Sequence, residues 1–99
     1  MRRRRVVSIR LPVEDLEGVE AVMELQSVDR TTLLREFIRE GLRRRVLRLY
    51  REGVVTAARA AEILGVSLRE FLEMLEGEGI PVNWDQGAVR EYLRERYGV

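Results

Sequence analysis

One short segment of alternating side chains, with no second such segment next to it, is the feature that most constrains this chain. In residues 6–11, one side of the segment carries the apolar residues Val7, Ile9 and Leu11, and the other side carries Val6, Ser8 and Arg10. This is the period of two that a strand requires. Pro12 ends the segment, and helical periodicity follows it. Because a lone strand leaves its backbone donors and acceptors unpaired, we expect residues 6–11 to pair with the same strand of a second copy.

A two-stranded ribbon formed in this way has the dimensions to enter the DNA major groove. We therefore predict that the outward side chains, Val6, Ser8 and Arg10, contact bases. Arg10 would give two hydrogen bonds to a guanine, whereas Val6 would make only apolar contact, for instance with a thymine methyl group. A solvated strand face is the alternative, and pairing of residues 6–11 with residues 80–82 of the same chain also stays open, although Pro81 is a poor strand residue.

The chain has 99 residues and contains neither Cys nor His. This composition excludes disulfides and thiolate nucleophiles, and it removes the commonest general base and metal ligand. The sequence has no Gly-rich phosphate loop and no paired-acid motif, so we expect no enzyme activity, no cofactor and no metal site. It also has no apolar run of about 18 residues and no signal peptide at Met1, so we expect a cytoplasmic protein.

The net charge of +1 hides an asymmetry between the two halves of the chain. Residues 1–51 hold 13 Arg and 8 acidic residues, whereas residues 52–99 hold 5 Arg and 9 acidic residues. Arg favours bidentate contacts with phosphate and guanine, so the basic half is predicted to bind nucleic acid. We expect phosphate contacts in the basic N-terminal residues and at the start of the second helix, where free N–H groups favour an anion. The predicted phosphate-contacting residues are Arg2, Arg3, Arg4, Arg5, Arg30, Thr31 and Thr32.

Helical periodicity predicts helices over about residues 13–26 and 30–51, with Asp29 or Thr31 as the N-cap of the second. Arg43, Arg44 and Arg45 lie late in that helix and are interpreted as structural, because cations favour a helix C-terminus. The predicted apolar stripe of this helix consists of Leu34, Phe37 or Ile38, Gly41 or Leu42, Val46, Leu49 and Tyr50. Gly41 itself fits either a tolerated substitution or a close helix crossing.

Glu52 and Gly53 mark the predicted boundary between a domain at residues 1–51 and a domain at residues 52–99. Helices are predicted over about residues 56–64 and 68–76, joined by a turn in which Gly65 ends one helix and Ser67 caps the next. A last helix is predicted over about residues 86–96, capped by Asp85. The predicted fold class is mainly α with one short N-terminal β-strand, followed by a small helical, helix-turn-helix-like domain.

The first half resembles a known family of DNA-binding proteins. Residues 7–12, Val-Ser-Ile-Arg-Leu-Pro, and the helix opening from Asp29 to Leu42 together resemble the ribbon-helix-helix repressors, which include the CopG-, Arc- and VapB-like proteins. The resemblance covers about residues 5–50. It implies an intertwined homodimer, with higher oligomers left open, that binds a pseudo-palindromic operator in double-stranded DNA.

The second half resembles a small prokaryotic family of uncharacterised proteins, many of them thought to be antitoxins. The resemblance rests on Ala-Ala-Glu at residues 60–62, Phe-Leu at residues 71–72 and the run from Gly79 to Asp85. Members are commonly encoded beside a PIN-domain ribonuclease-like toxin, so the resemblance implies a partner-binding module. A second DNA-reading helix is disfavoured by the acidic residues around Glu73. The candidate partner-binding residues are Trp84, Arg90, Tyr92, Arg94 and Arg96.

Three functions are compatible with this organisation. The first is a sequence-specific DNA-binding antitoxin that represses its own operon and neutralises a PIN-type ribonuclease. The second is a stand-alone transcription regulator whose C-terminal half serves oligomerisation or ligand sensing. The third, an RNA-binding adaptor, suits the Arg content but lacks the aromatic stacking positions that single-stranded RNA requires.

Overall fold

A computed structural model describes residues 3–82, 93–94 and 96–98 of the chain. It contains the helices α1 (Val13–Gln26), α2 (Arg30–Arg51), α3 (Ala57–Leu64) and α4 (Leu68–Gly77). These bounds confirm the first four predicted helices to within one residue. The chain divides between Ile38 and Arg39 into two compact units, a front unit and a rear unit, and each is described by itself. None of the described helices combines the length and the apolar character that crossing a membrane requires.

The predicted β-strand is wrong. Residues 3–12 form no regular secondary structure, and no strand occurs elsewhere in the described residues. Val6, Val7 and Ile9 are 97%, 78% and 69% exposed. The alternating sequence sets a side-chain period, but it does not supply a hydrogen-bonding partner, and the helices of the described residues offer no sheet edge. The ribbon-helix-helix homodimer is therefore not seen, nor is a strand at residues 80–82, and the fold class of the described part of the chain is corrected to all α.

In the front unit, α1 follows directly from Pro12. The carbonyl of Pro12 accepts hydrogen bonds from the N–H groups of Asp15 and Leu16, both at 3.1 Å. The helix ends at Ser27, which adopts the left-handed conformation (φ 52°) and donates its N–H to the carbonyl of Met23. Such a left-handed residue is a common way to satisfy the last carbonyls of a helix. The buried apolar residues of this unit are Val19 of α1 and Leu33 of α2.

The core of the rear unit forms between the end of α2 and the two helices after it. The rings of Tyr50 and Phe71 meet edge to face, with centroids 5.4 Å apart and an interplanar angle of 81°, which is a favourable geometry for aromatic pairs. Small side chains on α3 keep that helix close to its neighbours. The buried residues of this core are Val46, Leu47 and Tyr50 of α2, Ala57, Ala60 and Ala61 of α3, and Leu68, Phe71 and Leu75 of α4.

The apolar stripe predicted along the second helix is correct only in part. Val46 and Tyr50 are buried, whereas Phe37, Ile38 and Leu42 are 38%, 66% and 44% exposed. A Cβ atom added at Gly41 would meet no described atom within 4 Å, so no helix of the described chain crosses there. The stripe assumed one continuous partner along α2, but α3 and α4 cover only its last turns. The division into domains at residues 1–51 and 52–99 stays a prediction. In the structure, the end of α2 contributes Val46, Leu47 and Tyr50 to the core of the rear unit.

The turn between α3 and α4 confirms the two residues predicted for it. Gly65 is left-handed (φ 68°), and its N–H bonds the carbonyls of Ala61 and Glu62. Ser67 caps α4 through a capping box, in which its hydroxyl accepts from the N–H of Glu70 at 3.0 Å and its own N–H donates to the Glu70 carboxylate at 3.2 Å. Reciprocal caps of this kind satisfy two donors that the first turn would otherwise leave unpaired.

Replacing Phe71 with Ala tests the importance of this core. Phe71 is fully buried, so Phe71→Ala is expected to lower the free energy of unfolding by about 3–5 kcal/mol, through lost burial and the cavity left behind. The matched control is Phe37→Ala, which removes the same atoms from a 38% exposed position and should cost about 1 kcal/mol. Urea denaturation measures both values, and equal losses would contradict the core assignment.

Candidate functional site

The described residues before α1 form an N-terminal arm (residues 3–12) that has no regular secondary structure and is rich in arginine. Arg3, Arg4, Arg5 and Arg10 are exposed, and the described part of the chain shows no ion pair for any of them. No acidic residue occurs in the arm. The arm therefore carries only positive charge, and it holds six of the residues predicted to contact DNA, namely Arg3, Arg4, Arg5, Val6, Ser8 and Arg10.

The three predicted base-contacting residues lie on this arm, but no ribbon orients them. Val6, Ser8 and Arg10 are all exposed, and they lie close together in a segment without regular secondary structure. Without a paired strand, the backbone does not fix the direction of these side chains toward a groove. Their assignment as base contacts stays a prediction, and Arg2 lies outside the described residues.

The start of α2, where phosphate contacts are predicted, already holds a carboxylate. Asp29 is the N-cap: the Thr32 hydroxyl donates to Oδ1 at 2.7 Å, the Thr32 N–H donates to Oδ2 at 3.1 Å, and the Leu33 N–H bonds the Asp29 carbonyl at 3.1 Å. The hydrogen bond from the Thr32 hydroxyl, followed by that from its backbone N–H, lowers the pKa of Asp29 below 3.8. A phosphate that binds Thr32 would thus have to displace the Asp29 carboxylate. Arg30 and Thr31, the other two residues predicted to contact phosphate here, are exposed.

Helix α2 is the most basic described element of the chain. It carries eight Arg and two Glu, and all eight Arg are exposed. Within the described residues, Arg43 has an ion pair, with its Nη2 atom 3.2 Å from Oε1 of Glu78, and both of those side chains are about half exposed. A pair this exposed contributes only about 0–1 kcal/mol. Sequence reasoning interpreted the late arginines as structural and therefore missed the size of this cationic surface.

Helices α1 and α4 carry the opposite charge, whereas α3 is neutral, with one Arg and one Glu. Helix α1 has five acidic residues and no basic one, and α4 has three Glu and one Arg. The net charge of residues 1–51 did not reveal that α1 is acidic, because the arginines of the arm and α2 outnumber the acidic residues of α1. Within the described chain, most of the exposed arginines therefore lie in the arm and α2.

In the rear unit, the described residues line a groove beside α4. Its apolar wall includes Leu72, Ile80 and Val82, and Glu73 and Glu76 add negative charge to its lining. Tyr97, which is 64% exposed, and Arg96 also line the groove, and the Cζ atom of Arg96 lies 5.8 Å from the centre of the Tyr97 ring. That separation is within the range of a cation–π contact.

Two of the five candidate partner-binding residues can be placed. Arg94 and Arg96 are helical and exposed, and the carbonyl of Arg94 accepts a hydrogen bond from the N–H of Gly98 at 2.8 Å. Trp84, Arg90 and Tyr92 lie outside the described residues. Arg96 is thus the one candidate that the described structure places at the groove lining.

Comparison with known families supports the second of the two resemblances. The family model for UPF0175, described as an uncharacterised protein family, matches residues 29–94. The chain belongs to the UPF0175 family. The match begins at Asp29, so it includes α2, α3 and α4, while the arm and α1 precede it. The match confirms that the second half belongs to an uncharacterised family, as the sequence predicted. It does not support the ribbon-helix-helix resemblance of the first half.

Two curated UPF0175 proteins are similar to parts of this chain. The protein from Archaeoglobus fulgidus is 49% identical over 39 residues, which is 39% of this chain and 45% of the relative. The protein from Aeropyrum pernix is 40% identical over 47 residues, which is 48% of this chain and 53% of the relative. The match thus spans about half the length of each relative. No solved structure matches the chain.

The cap at Asp29 predicts a pH dependence of stability. Because folding lowers the pKa of this carboxyl group, the charged form stabilises the folded state above pH 3.8, and that contribution is lost as the pH falls through the folded-state pKa. Asn keeps an acceptor oxygen but does not titrate. Asp29→Asn should therefore be less stable than the wild type near neutral pH, and the difference should vanish in acid.

Thermal unfolding across this pH range measures the difference. The control is the same substitution in a Thr32→Val background, where the main cause of the lowered pKa is absent and the pH dependence of the difference should shrink. A difference between wild type and Asp29→Asn that stays constant from neutral to acid pH would contradict the assignment.

Proposed function

We propose that this UPF0175 protein is an antitoxin-type regulator that binds duplex DNA through its arm and one face of α2 and binds a protein partner through its rear unit. The observation that carries the proposal is the concentration of exposed arginines in the arm and α2, where Arg43 is the one arginine with an ion pair among the described residues. Nucleic acid is the partner that such a surface fits, because each arginine that neutralises a phosphate releases condensed counterions. Binding both DNA and a partner would let one chain regulate its own operon.

The arm is suited to follow a nucleic-acid backbone. A fully extended chain advances about 3.3 Å per residue, so residues 3–10 would reach over about 25 Å if they extended along a duplex, a distance that includes several phosphates. Arg10 is the arm residue expected to read a guanine, since its guanidinium can donate two parallel hydrogen bonds. Within the described chain, the large exposed aromatic side chains are Phe37 and Tyr97, which favours duplex binding over the base stacking that single strands require.

The rear groove supports the partner-binding part of the proposal. An apolar wall at Leu72, Ile80 and Val82 with the exposed ring of Tyr97 has the composition of a protein-binding surface, in which aromatic anchors dominate the energy. The choice of a PIN-type ribonuclease as the partner rests on the resemblance of residues 60–85 to antitoxin-like proteins. Homodimerisation, on which a pseudo-palindromic operator depends, stays a prediction.

Neutralising the start of the arm tests DNA binding. Replacing Arg2, Arg3, Arg4 and Arg5 with Gln is expected to weaken binding to every duplex sequence and to flatten the dependence of affinity on salt, by about 0.9 in log–log slope for each lost phosphate contact. Replacing the same four residues with Lys keeps the charge and should preserve the slope. Fluorescence anisotropy at several salt concentrations measures this, and equal slopes for the Gln variant and the wild type would contradict a role for the arm.

Co-expression with a PIN-type ribonuclease tests the identity of the protein partner. The proposal predicts a complex that survives gel filtration and inhibits RNA cleavage, with Tyr97→Ala weakening binding at least about fivefold, as expected for an interface anchor. Val54→Ala is the matched control, since Val54 and Tyr97 are both 64% exposed, and it should bind like the wild type. Absence of any complex would favour the stand-alone regulator.

A further inference from the structure

Three arginines late in α2 form a continuous stripe on one face of the helix. Arg44, Arg48 and Arg51 are spaced by four and three residues, which places them on the same side of an α-helix. At 1.5 Å of rise per residue, the stripe is about 10 Å long. All three side chains are exposed, whereas Val46 and Tyr50 enter the core. The packing of the rear unit therefore holds the stripe at the surface on a rigid element.

Neighbouring acids do not account for the stripe. Glu40 precedes Arg44 by four residues and Glu52 follows Arg48 by four, but the described structure shows no ion pair for Arg44, Arg48 or Arg51. Arg43, one position earlier, does have an ion pair with Glu78. The stripe is therefore distinct from the arginine that serves intramolecular pairing.

The helix dipole does not account for the stripe either. Its effect is confined to about the last turn, which favours Arg48 and Arg51 but does not reach Arg44, two turns before the end of α2 at Arg51. In addition, like charges four residues apart on a helix repel each other. Arg44 and Arg48 thus reduce the stability of the isolated helix, and an external anion would relieve their repulsion.

We propose that Arg44, Arg48 and Arg51 form a second phosphate-binding element, which contacts the sugar-phosphate backbone of duplex DNA independently of the arm. The inference rests on the proposed DNA-binding function and deepens it. Successive phosphates of one strand are about 3.4 Å apart along the duplex axis, so an aligned stripe of about 10 Å spans about three of them. Guanidinium groups donate two parallel hydrogen bonds to phosphate oxygens. The partner is the backbone, so this element adds affinity without base selectivity.

The chain offers a closely matched control on the same helix. Arg35 and Arg39 stand nine residues before Arg44 and Arg48, and nine residues at 100° each is two and a half turns. The two pairs therefore have the same spacing on opposite faces of α2, and all four side chains are exposed. The Arg44→Gln/Arg48→Gln and Arg35→Gln/Arg39→Gln variants remove equal charge from the same element.

The experiment measures binding of a labelled duplex of random sequence to the full chain over a series of salt concentrations. The stripe variant is expected to lose affinity and to flatten the log–log salt slope by about 1.8, at about 0.9 for each of two phosphate contacts. The control variant should keep most of the wild-type slope. Arg44→Lys/Arg48→Lys keeps the two positive charges and should restore the slope. Circular dichroism and the melting temperature should be similar for all variants, because the four positions lie outside the core.

Each outcome separates the stripe from the broader function. Equal losses in the stripe and control variants would overturn the inference, because net charge alone would then explain binding. A stripe variant that binds like the wild type, while neutralising the arm weakens binding, would overturn the stripe and leave the proposed function intact. Absence of duplex binding by the wild type would overturn both. Stronger binding to single-stranded RNA than to the duplex would replace the DNA backbone with RNA as the partner.

Discussion

The packing of Tyr50 against Phe71 is the contact on which the rear unit depends. It joins the last turn of α2 to the middle of α4, and both side chains are almost fully buried. Full burial of a large apolar side chain contributes about 1.5–3 kcal/mol, and an edge-to-face ring pair adds about 0.5–1.5 kcal/mol. In a unit with few buried residues, these contributions are large compared with a typical total stability of about 5–15 kcal/mol. The three buried alanines of α3 let the helices approach closely enough to enclose the two rings.

The same packing explains how a helix with eight arginines can be stable. Most of these arginines have no acidic partner in the described structure, so repulsion along α2 is offset mainly by burial of Val46, Leu47 and Tyr50. Because the core fixes which face of the helix is inside, it also fixes which arginines are outside. A local arrangement that opposes folding is expected at a site kept for binding, and the charge on α2 is such an arrangement.

Local signals in the sequence predicted the helices well. Periodicity located α1 to α4, Asp29 and Ser67 were recognisable as caps, and Gly65 as the end of a helix, because these features depend on neighbours only a few residues away. The N-terminal strand failed for the opposite reason. A period of two describes side chains, but a strand also needs a hydrogen-bonding partner, and nothing in a window of six residues shows whether that partner exists.

The sequence predicted that the candidate site is rich in arginine, but it did not predict which arginines of α2 form an exposed stripe. Arginine content indicated nucleic acid, but counting charge by halves concealed the acidic α1, and the dipole argument concealed the stripe beginning at Arg44. The burial of Leu33 and Leu47 was missed because α2 changes environment along its length. Which side chains of a long helix face a partner depends on where the other helices end, and that is a tertiary property.

The central claim is that duplex DNA contacts the arm and the outer face of α2. An amide NMR titration of the full chain with a short duplex at low salt tests it residue by residue. The account predicts that the largest shifts occur at residues 3–10 and 44–51, that they diminish as salt is added, and that the amides of α4 around Glu73 change little. Shifts centred on α4, or no shifts at low salt, would contradict it.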